Sequence, residues 1–101
     1  KMDTVYLIVA MLLNVETGIV EPRHHAAYKF DTLPECMQFV NSQYEGLYGG
    51  LIYKLQEEGK PTTQILDIGC AELPLTDAEE FMNKHKVMPG VGAWQTNYNL
   101  I

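Results

Sequence analysis

Four groups of residues in this 101-residue chain are of types that do chemistry. His24-His25 is the first, because imidazoles titrate near neutrality and serve as general bases. Adjacent strand residues point to opposite faces, so the two rings cannot converge on one substrate. They are expected as surface residues at the mouth of a hairpin. Asp77, Glu79 and Glu80 are the second group, and their place in the first turn of a helix makes them partners of its dipole rather than an acid–base pair. Cys36 and Cys70, the only cysteines, are the third. With the three histidines they have no metal-ligand spacing, so no metal and no cofactor is expected. Their apolar neighbours favour two buried thiols of a reducing compartment, with a disulfide as the lesser alternative. Trp94 and Tyr98 are the fourth, as aromatic anchors for a partner or, equally, as residues packed on their own domain.

The string Ile65-Leu66-Asp67-Ile68-Gly69-Cys70-Ala71-Glu72 resembles the first motif of the class I S-adenosylmethionine methyltransferases. In that family a strand ends in Leu-Asp-Ile-Gly-Cys, and glycines then let the backbone approach the cofactor at a helix start. Here Ala71 and Leu73 stand where that family keeps glycine, and Pro74 interrupts the helix start. Only 29 residues follow Glu72, fewer than the further strand–helix units of that family need. The string is therefore read as a core strand, with Asp67 at an edge or turn.

The elements that would position these residues follow from the hydrophobic pattern. Val5–Leu13 is apolar at every position, which for a strand means that both faces leave water. Glu16-Thr17-Gly18 is a turn signal, with Gly18 suited to positive φ, and Pro22 is expected to end pairing in this connection. A second strand is predicted over His25–Phe30. Thr32, Pro34 and Glu35 have the pattern of a capped helix start, and apolar residues then recur every three or four positions from Leu33 to Leu55. That predicts one long helix, ended by Gly59-Lys60-Pro61. Gly46, Gly49 and Gly50 interrupt it. The favoured reading is a kink, or two shorter helices, at Tyr48-Gly49-Gly50, and the alternative is a close approach of another backbone at Gly46 and Gly50. Gln64–Glu72 is a third strand closed by Pro74, and Thr76-Asp77-Ala78-Glu79 opens a short helix to about Lys86. The tail from Ala93 alternates through Trp94, Thr96, Tyr98 and Leu100, the pattern of a fourth strand or of an extended arm.

These elements predict an α+β fold: a small antiparallel three-stranded sheet of order 2-1-3 (ββαβ), with one long helix on one face. A short C-terminal helix and an extended tail complete it. Residues 1–87 form the domain and 88–101 the tail or arm. The second sheet face then has too little to cover it, and exposed apolar area of this kind marks an interface. The candidate interface residues are Tyr6, Ile8, Leu12, Gly46, Gly50, Trp94 and Tyr98. Seven basic against thirteen acidic residues give a net charge of -6, which argues against nucleic acid and anionic membranes as partners. The apolar run behind Lys1 has no small-x-small cleavage site in Asn14–Gly18 and falls short of the roughly 20 residues a helix needs to cross a bilayer, so a cytoplasmic protein is expected. The whole chain loosely resembles the small orphan ββαβ proteins of bacteriophage and bacterial accessory genes. The likeness lies in the apolar first strand with its Thr-Gly turn and in Tyr28-Lys29-Phe30-Asp31-Thr32-Leu33 leading to Glu35-Cys36. It implies a compact, non-enzymatic accessory protein and no particular site; the open sheet face adds the expectation of a homodimer, or of a tail exchanged between protomers, acting on a protein partner. The alternative is a small ligand-binding or enzymatic domain with a pocket at the dimer interface.

Overall fold

The computed structural model describes residues 3–85 and 91–95. In chain order these form β1 (Thr4–Asn14), β2 (Val20–His25), α1 (Leu33–Ser42), α2 (Tyr44–Glu57), β3 (Thr63–Pro74), α3 (Leu75–His85) and β4 (Trp94–Gln95), the last preceded by a 3-10 turn at Val91–Ala93. The fold is α+β. Its single antiparallel sheet has four strands in the order β3-β1-β2-β4, so the expected three-strand order 2-1-3 is corrected by a fourth strand beside β2. Trp94 enters that strand opposite His25, and the Ala26 amide donates to the Ala93 carbonyl at 2.8 Å. The first residues of the expected tail therefore belong to the sheet.

β1 lies between two partners and has helices on both sides, as its unbroken apolar run requires. Ile8, Ala10 and Leu12 pack with Val40, Leu47, Leu51, Leu55 and Ile68 under α1 and α2. Val5 and Leu7 face the other way, with Ala26, Leu73, Ala78 and Phe81 under α3. The hairpin joining β1 to β2 closes as its sequence dictates. The Asn14 side-chain oxygen accepts from the Glu16 and Thr17 amides at 2.9 and 3.2 Å, and Gly18 adopts φ 76°.

β2 occupies 20–25 rather than the predicted 25–30. Pro22 sits inside it, opposite Met11, because β4 reaches only His24 and His25. At Pro22 the strand is an edge, where a missing N–H costs no ladder bond. Phe30 keeps a single bridge to Tyr6.

The helical stretch is two helices, one of the readings its glycines allowed, but divided elsewhere. Thr32 caps α1 by accepting from the Glu35 amide at 3.3 Å. The break falls at Gln43 (φ -113°, ψ 18°), not at Tyr48-Gly49-Gly50, which lie inside an unbroken α2. A Cβ built at Gly46 or Gly49 would meet nothing within 4 Å, so no close approach within the chain explains either of these glycines. β3 runs through Pro74 into α3 without a loop, and the Leu75 amide donates to the Asp3 carbonyl at 3.0 Å. A bulge at Leu66 interrupts its register, with Asp67 opposite Met11 and Ile65 opposite Leu12.

The thiol expectation is corrected: Cys36 and Cys70 form a disulfide, with Cα atoms 6.3 Å apart. Cys70 pairs with Ile8 on the α1 side of the sheet, and Cys36 stands in the first turn of α1. A bond spanning 34 residues of sequence thus ties that helix to the outer strand.

Candidate interaction surface

Helix and strand lengths decide how much of the sheet is covered. β1, with 11 residues, is about 36 Å long, whereas α3, with 11 residues, is about 16 Å. α3 begins at the β3 end beside Thr4 and covers Val5 and Leu7. Toward the hairpin the same face carries Val9, Met11 and Leu13, all only half-buried.

The ladder adds neighbours to these three, since paired residues of adjacent strands share a face. Leu13 is opposite Val20 and Met11 is opposite Pro22. Val20 is 46% exposed and Pro22 is exposed. On the other side the bulge sets Leu66 and Asp67 beside Met11, and Leu66 is 52% exposed. Ile19, exposed in the turn, extends the surface. Asp67 is the one charged side chain that the register sets on this stretch. Its carboxylate accepts from the Ile68 amide at 2.9 Å.

The residues proposed from sequence do not assemble here. Ile8, Leu12 and Trp94 are interior, Ile8 fully so. The Trp94 indole N–H donates to the Leu47 carbonyl at 3.2 Å, so its polar edge is satisfied inside the domain. Tyr6 is half-buried against the α1–α2 core. Gly46 is exposed and Gly50 half-buried, both on α2, remote in sequence and layer from the bare stretch of sheet. Tyr98 lies outside the described residues. Sequence reasoning missed Val20, which falls in a strand it did not place, and Leu66, which only the bulge brings to this face.

The histidines are corrected from surface to buried, on opposite faces as strand alternation requires. His24 meets the Phe81 ring of α3 at 6.0 Å. His25 stacks on Tyr28 at 5.6 Å and meets Trp94 edge-on at 4.9 Å. Burial lowers both to about 4 from the ordinary 6.5, because the charged imidazolium loses its water. Both rings are therefore neutral at pH 7.

The methyltransferase-like string lies within β3, which continues past Gly69 and Cys70 instead of turning into a helix. Among the described residues no three His, Cys, Asp or Glu side chains are grouped to hold a metal, and no helix is long and apolar enough to cross a membrane. No protein-family model, curated protein or solved structure matches the chain.

Proposed function

We propose that this chain is a small, acidic, non-enzymatic binding module of accessory, phage-like type that works as a homodimer on a protein partner. The dimer contact is assigned to the half of the sheet beyond α3. The observation that carries this is the exposure of Val20 and Leu66 beside half-buried Val9, Met11 and Leu13. A sheet face left apolar and partly open gains free energy when a second apolar surface covers it, at roughly 25 cal/mol per Å². Static light scattering of the full chain and of Leu66→Asp tests the reading. Leu66 is exposed, so the variant keeps its fold, and the expected result is a dimer mass for the parent and a monomer mass for the variant. A monomer mass for the parent, or a dimer mass for both, overturns it.

The cytoplasmic location expected from the cysteines is opposed by their cross-link, since structural disulfides persist mainly in oxidising compartments. An oxidising compartment is the reading this bond supports. Alkylation of protein taken unreduced from its source, followed by mass measurement, is expected to find no free thiol. Two alkylated cysteines would restore the cytoplasmic reading.

The alternative reading, a small-ligand domain, has one specific feature in its favour: a polar cleft at the hairpin end of the sheet.

A further inference from the structure

At the end of the sheet opposite α3's start, the hairpin turn, β2 and the loop joining α2 to β3 enclose a cleft of about 270 Å³. Its polar lining comes chiefly from Glu16, Glu21, Arg23, Lys60, Thr62 and Thr63, above apolar contributions from Leu12 and Leu55. Arg23 is only 4% exposed, an unusual place for a guanidinium unless it is paired. Its two terminal nitrogens donate to both carboxylate oxygens of Glu58 at 3.1 and 2.8 Å. That pair is planar, bidentate and self-neutralising, and it makes a rigid wall of the cleft. The loop is held as well. Gly59 takes φ 77° and the Lys60 amide donates to the Leu55 carbonyl at 2.8 Å, a helix ending that sets Lys60 at the rim.

The remaining charges are the informative ones. Lys60, Glu16 and Glu21 line the same cleft, yet the ion pair formed among the described residues is Arg23–Glu58 alone. One ammonium and two carboxylates, all at exposed positions and outside that ion pair, therefore border one small space. We infer that this cleft binds a small zwitterion of the free α-amino-acid class, its carboxylate toward Lys60 and the Thr62 and Thr63 hydroxyls and its ammonium toward Glu16 and Glu21.

Charge excludes the simplest competitors, and a cleft of about 270 Å³ admits an amino acid. A phosphate would meet two carboxylates, and a divalent metal would meet the Lys60 ammonium. Neither conflict arises for a ligand with both charges. This assignment is carried by the polar lining of the cleft, and of the residues named for the dimer surface Ile19 alone also lines it.

Amide-detected NMR of the full chain tests it, with the free L-amino acids added in pools and then singly. The expected result is a saturable shift of the Glu16, Thr62 and Thr63 amides by at least one amino acid. The same compound without its amine, or without its carboxylate, should bind about tenfold or more weakly, the loss expected when one charge-assisted contact is removed. Lys60→Gln and Glu21→Gln, both at exposed positions, should each weaken binding by about tenfold with an otherwise unchanged spectrum. No shift with any pool overturns the proposal. So does an alkylamine or a simple carboxylate that binds as well as the parent amino acid.

Discussion

On the α1–α2 side of the sheet, about 37 Å of nearly continuous helix lies along a central strand of about 36 Å. On the other side α3 covers less than half of that strand. β1 supplies apolar residues to both faces alike, so its composition does not explain the difference. Cover is a matter of length and of where the chain turns. The crossover from β2 to β3 spans the sheet and provides two helices with 24 residues between them, while α3 follows β3 directly and ends at His85. The closed side also carries the disulfide and the satisfied Trp94. The open side carries a bulged outer strand and exposed Leu66. The comparison teaches that a strand can be written for two full interfaces and find only one and a half within its own chain.

The largest expected effect separates the two sides directly. Leu51, fully buried under α2, should cost about 3 kcal/mol or more when replaced by Ala, through lost transfer energy and a residual cavity. Met11→Ala, on the half-covered stretch, should cost less than about 1 kcal/mol in dilute monomer. Urea unfolding of both variants checks this, and equal losses would mean that the face beyond α3 is closed.

Acid sharpens the comparison, because each side holds one buried histidine. The folded values lie near 4, below the ordinary 6.5, so the unfolded chain binds protons that the folded chain refuses. Stability is then complete above about pH 6.5 and falls as pH drops toward 4. The loss reaches up to about 3 kcal/mol per histidine. His24→Phe and His25→Phe should each remove about half of the acid sensitivity, measured as the change in urea midpoint between pH 7 and 4.5. If only one variant does so, the burial of the two sides differs in a way their ring contacts do not indicate.

The smallest effect concerns the outer surface of α2. Gly46 has open space around its missing side chain, so Gly46→Ala should raise stability by about 1 kcal/mol through helix propensity alone. The light-scattering mass should not change. A fall in mass would move the dimer contact from the sheet to α2.

Much of the local structure was legible in the residues. Thr32 with Glu35 marks a helix start because a hydroxyl and an amide three residues apart satisfy each other, and they do. Asn14 through Gly18 close a turn through side-chain and backbone preferences that need no distant partner. Where sequence and structure differ, the cause is distant. Pro22 is barred only from a central strand, and whether β2 is central there depends on how far β4 extends. Nothing near the histidines in sequence announces Phe81, Tyr28 or Trp94. Leu66 changed face through a one-residue bulge that propensity does not register.

By itself, then, the sequence determined the fold class, a first strand buried on both sides, its turn and the capped start of α1, all of which arise from backbone chemistry and periodicity over a few residues. Tertiary structure alone decided the Cys36–Cys70 bond, the burial of His24, His25 and Arg23, the place of Trp94 beside β2, and the stretch of sheet that α3 leaves uncovered. Each of these depends on which distant segments meet, and that is set by the joint packing of all the elements rather than by any one of them.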